Sequence, residues 1–327
     1  MAGFAALATA AAVTGGLVLR SALDNPPETQ ASPGGGPSAQ APGAGNKTAN
    51  AAALPTDAML VREDRSAGWP DECHGSVAVL TPGASSAPRR LLPDEQCDTL
   101  PRWSPDRKRI SFSRTKDAGA DLYVMNADGS GLQKVAEVAR STRTSWSPDG
   151  RRLAYADSAG ENRDIFVVTI GSSKPQRVTS ADSTEGGPDW SRDGRHLAFW
   201  SDRDGVQQIF TLDMNALGKP WTKVTTAPNG ADDPMWSPDG KQIAYTWVNG
   251  SRKNDICVIG ADGRNNRHLT EDTAHDMDPN WSPDGRWIVF ARGAVETPRL
   301  WAVRADGTGK IQRVAPASRA VGHPSWT

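Results

Sequence analysis

Beyond its first fifty-odd residues, the chain is built of short apolar runs separated by polar, Gly- and Asp-rich stops. A first set of runs covers Ile110-Ser113, Leu153-Ala156, Leu197-Trp200, Ile243-Trp247 and Ile288-Ala291. A second covers Leu122-Asn126, Ile165-Thr169, Ile209-Asp213, Ile256-Gly260 and Leu300-Arg304. A third covers Leu132-Val135, Gln176-Thr179, Thr222-Thr225, Arg267-Thr270 and Gln312-Ala315. The runs are β-branched or aromatic and bounded by turn residues, which predicts strands rather than helices.

Before each first run stands a Trp turn. Trp-Ser-Pro-Asp-Gly is complete at Trp146-Gly150, Trp236-Gly240 and Trp281-Gly285. Arg107 replaces the glycine of the turn after Trp103, and Arg192 replaces the proline of the turn after Trp190. The chain ends at Trp326-Thr327, as a sixth copy begins. The tryptophans at 103, 146, 190, 236, 281 and 326 are spaced by 43, 44, 46, 45 and 45 residues. Proline presets φ at the second turn position, aspartate suits the third, and glycine accepts positive φ. Trp, just before the turn, is large enough to wedge between packed sheets. Each period therefore holds four strands, counting the Trp segment, and four-stranded units of this length are propeller blades.

The first unit lacks its Trp strand. Met59-Arg62, Ser76-Leu80 and Arg89-Leu92 supply only its later runs, and His323-Trp326 is a Trp strand with nothing after it. The fold predicted is all-β: a six-bladed propeller over 57–327, closed by pairing the N-terminal strands with the C-terminal Trp strand. Closure leaves no open sheet edge, so a monomer is expected.

Upstream, 1–23 reads as a signal sequence or membrane anchor, because 2–19 are mostly Ala, Val, Leu and Gly with no charge before Arg20. Residues 24–56 are rich in Pro, Gly and Ala and read as a disordered tether. Strand counting puts Cys73 and Cys97 on connections at one face of the closing blade. A disulfide there is possible and would suit an oxidising compartment, the alternative being two free thiols. Cys257, inside an apolar run, reads as an inert buried thiol.

Repeated Trp-Ser-Pro-Asp-Gly, followed by strands such as Asp121-Leu-Tyr-Val-Met-Asn-Ala-Asp-Gly129, resembles the TolB-type (PD40, WD40-like) propeller repeat over about 58–327. The resemblance implies an exported bacterial propeller that binds partner proteins, often by taking a peptide into one mouth of its central channel. Such propellers also occur as gates of prolyl-oligopeptidase-like peptidases. The tether leaves no room for the α/β domain that precedes the propeller in TolB.

Chemistry is sparsely signalled. The sequence holds no Gly-x-Ser-x-Gly, His-Glu-x-x-His, Cys-x-x-Cys or phosphate-binding Gly-x-x-x-x-Gly-Lys motif. A net charge of -1 gives no electrostatic case for nucleic acid. Asp202-Arg-Asp-Gly205 reads as a turn, since it lacks the later bidentate Glu of a calcium loop. One constellation stands out. Asp98, Arg143, Glu185, Asp232, Asp233, His275, Asp276, Asp278 and His323 precede the tryptophans and are expected around one channel mouth. The ring is mainly acidic, with Arg143 the exception, and would suit a cationic peptide, a basic N-terminus or a divalent metal. The plainer reading is that these carboxylates cap strand ends and face water. Two functions follow: a non-enzymatic protein- or peptide-binding scaffold of the cell envelope, or a metal-dependent lyase or lactonase. The latter would use His275, Asp276, Asp278, Asp233, Glu185 and His323 as ligands. A peptidase accessory propeller is the third reading.

Overall fold

A computed structural model describes residues 53–64, 73–93, 96–250, 253–295, 297–316 and 320–326. The proposed leader and most of the proposed tether lie outside them. Among the described residues there are twenty-four strands, β1 to β24 in chain order, and no helix. No helix among them is long and apolar enough to cross a membrane. The strands form six antiparallel four-stranded sheets, each running outward from a Trp strand.

The closing blade pairs β24 (Ala320–Ser325) with β1 (Met59–Asp64), followed by β2 (Gly75–Leu80) and β3 (Arg89–Arg90). Its seam is an antiparallel ladder with one register shift, Leu60 standing opposite Ser325 and Glu63 opposite Val321. Trp326 locks the seam further, its indole N–H donating to the Asp57 carbonyl at 2.8 Å. Leu54, assigned by sequence to the tether, packs against the same apolar cluster. Cys73 and Cys97 are joined by a disulfide with Cα atoms 5.2 Å apart, tying the closing blade to the first residue of β4 (Cys97–Trp103).

The six tryptophans fill the six gaps between blades. Each belongs to a different apolar cluster shared by two adjacent sheets: Trp146, for example, packs with Leu122 and Val124 of one blade and Leu153 and Tyr155 of the next. A buried indole removes a large apolar area from water, so the repeat period is also the period of core formation. The turns form as expected. In the complete copy at 147–150, Gly150 N–H donates to the Ser147 carbonyl at 2.8 Å, with Gly150 at φ 66°. The aspartate stitches the turn: Asp149 accepts from the Ser147 hydroxyl and from Arg151 N–H. Asp202–Gly205 is likewise a hairpin turn, closed by Gly205 N–H on the Asp202 carbonyl at 2.8 Å.

The outermost strands are shorter than the sequence suggests. Three of the runs that end in threonine pair for only two residues, at Gln176–Arg177, Thr222–Lys223 and Arg267–His268. In these three blades a threonine hydroxyl takes over from the ladder, whereas Arg89–Arg90 and Gln312–Arg313 stop at two residues without one. The hydroxyls of Thr179, Thr225 and Thr270 accept the N–H of Ile165, Ile209 and Ile256 at 2.8–2.9 Å, replacing the next backbone rung.

Candidate functional site: two ends of the central channel

The inner strands line the channel, and five of the six carry a proline two residues before Trp: Pro101, Pro188, Pro234, Pro279 and Pro324. Proline has no N–H to give the ladder, and the register breaks there in all five strands. The residue before each proline has positive φ: Leu100 (55°), Gly187 (56°), Asp233 (52°), Asp278 (56°) and His323 (47°). This conformation is costly for a residue with a Cβ. Four of these bulges re-aim a side chain, and three of those side chains, Asp233, Asp278 and His323, meet.

Arg143, from the one inner strand without the proline, bonds to Asp278 and lies 3.2 Å from Asp233. His323 Nδ1 lies 2.9 Å from the other Asp278 oxygen. His323 Nε2 accepts from Arg62 at 3.1 Å, and Arg62 also donates to Asp64 at 2.8 Å. A guanidinium can only donate, so His323 is neutral with its proton on Nδ1. Burial pulls the His323 pKa down, in the same sense, against the opposing pull of Asp278. Burial pushes Asp278 up, but His323 and Arg143 outweigh it and hold the carboxyl well below its ordinary range. Asp233 goes the other way, raised by burial and by the neighbouring Asp232 and Asp278 against the pull of Arg143. Asp232 accepts the Asp233 N–H at 2.6 Å.

Two residues nearer the tryptophans, Arg102 donates to Asp189 at 3.1 Å. Asp189 also accepts from the Ser145 hydroxyl and from Trp236 N–H. The residue before each Trp thus ties one blade to another: Ser145 accepts Trp190 N–H, Asn280 accepts Trp326 N–H, and Ser325 accepts Trp103 N–H at 3.3 Å.

The nine residues expected around one mouth therefore divide. Arg143, Asp233, Asp278 and His323 converge, with Asp232 adjoining. Asp98 does not join them; it is fully buried and gripped by Arg114 from the neighbouring strand at 2.7 and 2.9 Å. Asp276 is held the same way by Arg292, at 2.7 Å twice. Glu185 occupies the equivalent place in its blade, but the facing residue is Ser201, which donates at 2.8 Å beside Ser183. With no cation opposite, burial pushes the Glu185 carboxyl up to about 7. His275 accepts from Asn254 N–H at 3.3 Å, away from the cluster.

The expected acidic ring also needs correcting in charge. Arg62 and Arg102 are buried and Arg143 half-buried among the carboxylates, because uncompensated buried charge costs several kcal/mol. Arg62, Asp64, Arg102 and Asp189 were not anticipated. Polar residues directly before Trp, at Arg102, Ser145, Asp189, Asn280 and Ser325, are the signal that marks the lining. The proposed ligand set does not assemble: among the described residues, no group of three or more His, Cys, Asp or Glu is placed to hold a metal ion. Where Asp233 and Asp278 do approach one another, Arg143 already supplies the cation.

This end leaves a void of only about 10 Å³, bordered by Leu100, Arg102, Arg143 and His323. The opposite end opens into a cavity of about 150 Å³. Its walls are Trp103, Trp146, Trp190, Trp236 and Trp326 with Pro105, Pro238 and Pro283, and Arg102 and Asp189 stand at its inner end. Arg102 borders both spaces, so the charged cluster plugs the channel between them.

Residues 101–327 match the TolB beta propeller domain family, PD40. The chain belongs to this family. Similar solved structures include TolB from Acinetobacter baumannii, at 18% identity and TM-score 0.69, covering 82% of this chain and 66% of that one. Putative TolB from Agrobacterium tumefaciens follows at 21% identity and TM-score 0.61, covering 79% and 88%. An oligogalacturonate lyase from Vibrio parahaemolyticus is similar at 13% identity and TM-score 0.52, covering 80% and 75%. At these identities the shared feature is the fold, which in this TolB-type chain is a closed ring of six blades.

Proposed function

We propose that this TolB-type propeller is a non-enzymatic protein- or peptide-binding scaffold that acts outside the cytoplasm on a partner in the cell envelope. The observation that carries this reading is the asymmetry of the channel. One end is filled by mutually satisfied charges, and the other is an open cavity walled by aromatic and proline side chains. Such cavities suit anchoring side chains of a partner, with few polar groups to orient them. Among the described residues, the carboxylates named for lyase chemistry are bound to arginine, or, in Glu185, to serine, which favours the binding reading. The binding end is therefore placed at the Trp mouth rather than the acidic one. The Cys73–Cys97 disulfide supports an oxidising, exported location. On this reading residues 1–23 hold the propeller at the membrane or direct its secretion, and the tether spaces it.

The test is site-specific photo-crosslinking in cells. A photoreactive residue replacing Pro283, in the cavity wall, should capture a discrete envelope protein. The same residue replacing Thr308, on an exposed outer turn, should not. Equal capture at both sites, or none at Pro283, rejects the cavity as the binding end.

A further inference from the structure

Two departures from the repeat fall in one blade, and they border one another. The first is Arg192, which stands where the other Trp turns carry Pro105, Pro148, Pro238 and Pro283. The turn itself is unchanged, with Gly194 N–H donating to the Ser191 carbonyl at 2.9 Å. The fold therefore gains nothing visible from arginine at this place, and it forgoes the preset φ of proline. Arg192 is exposed and lines the Trp-walled cavity. The cavity's other cations are committed: Arg102 to Asp189, and Arg107 to the backbone carbonyls of Trp326 and Ala58. Among the described residues Arg192 has no hydrogen-bond or ion-pair partner.

The second departure is the connection between β14 (Gln208–Asp213) and β15 (Thr222–Lys223). At eight residues it is longer than the six-residue connections 127–132, 170–175 and 261–266 and the seven-residue 305–311, and it equals 81–88 of the closing blade. It carries Leu217, one of few exposed large apolar residues, at 40% exposure. Lys219 and Pro220 from this loop wall a surface groove of about 750 Å³. Arg192, Trp236 and Pro238 line both the groove and the channel cavity, so the two spaces share a wall. A narrow socket thus lies beside a groove between two blades, with a free guanidinium on their common rim.

We infer that the partner is an extended peptide segment that places a carboxylate against Arg192 at the socket and runs outward along the groove beneath the 214–221 loop. This rests on the binding reading and specifies its chemistry. Charge complementarity selects the ligand: the socket has three arginines against one aspartate, Asp189, which is already paired. A guanidinium fork matches a carboxylate bidentately. The carboxylate can be a chain terminus or an Asp or Glu side chain, and the experiment separates these.

The full-length protein is panned against two random octapeptide libraries, one with free C-terminal carboxylates and one amidated, and enriched peptides are titrated by fluorescence anisotropy. Enrichment only from the free-carboxylate library identifies the terminus. Enrichment of Asp or Glu at a fixed position in both libraries identifies the side chain. In either case Arg192→Pro, which restores the repeat consensus, should weaken binding at least about tenfold, the effect of losing one charge-assisted contact. Lys219→Ala should weaken it less. Binding to Arg192→Pro within twofold of the native protein overturns the inference and leaves the scaffold reading standing. No enrichment from either library overturns both.

Discussion

The two ends of the channel are built from the same repeat and obey opposite rules. Three residues before each Trp, where the inner strands begin, the blades offer Leu100, Arg143, Gly187, Asp233, Asp278 and His323, and the polar ones pair with one another. At the end where they finish, five blades contribute Trp and three contribute Pro, and a cavity is left. The difference lies in how far a side chain must reach. Bulges at Asp233, Asp278 and His323 bring polar side chains to one point, where burial forces pairing with Arg143 and Arg62. The tryptophans instead commit their rings to the gaps between blades, so only their faces border the central space. The first end therefore serves stability, and the second is free to serve recognition.

The sharpest way to break this comparison is Arg143→Met. Removing the one cation between Asp233 and Asp278 leaves Asp233 without its cation and Asp278 with only His323, and breaking a buried pair costs about 3–5 kcal/mol. Chemical denaturation should show that loss. A change under about 1 kcal/mol would mean that the cluster is wetter and less demanding than its geometry indicates.

A smaller effect is expected at Glu185. Its folded pKa is raised to about 7, above the ordinary 4.5, by burial. The folded state then holds a proton that the unfolded state has released, so this contribution is fully present below pH 4.5 and is lost as pH rises through about 7. Glu185→Gln should flatten that decline and be more stable than the native protein at pH 8 by about 1–3 kcal/mol. Parallel melting curves from pH 5 to 8 for both proteins would contradict it. His323 has the opposite sense: its pKa is lowered, so its contribution erodes as pH falls below the ordinary 6.5. Asp98 and Asp276 have arginines opposite where Glu185 has Ser201, which makes Glu185 the informative member of the three.

The smallest effect belongs to the open end. Arg192→Pro should raise stability by about 0.4–1 kcal/mol, through the unfolded chain, while weakening partner binding. Stability and binding moving together at this position would remove the distinction between the two ends.

Much of the fold was readable because its causes are local. Ser-Pro-Asp-Gly forms the same turn wherever it stands, the apolar runs form strands, and the unmatched Trp strand at Trp326 had one unfilled place. The lining was readable only as a set of positions. Asp98 and Asp278 look alike in sequence, five and three residues before their tryptophans, yet one faces Arg114 within its blade and the other faces Arg143 across the channel. The prolines at 101, 188, 234, 279 and 324 were visible and mark where the register breaks.

The sequence by itself determined the period, the number of blades, the turns and the closure of the ring, since each follows from backbone preferences repeated in a fixed order. Only the tertiary structure decided which charges meet, because Arg62 and His323 lie 261 residues apart and touch only once the ring is closed. It also decided which end of the channel remains open, since side-chain reach around a closed ring is a property of all six blades at once.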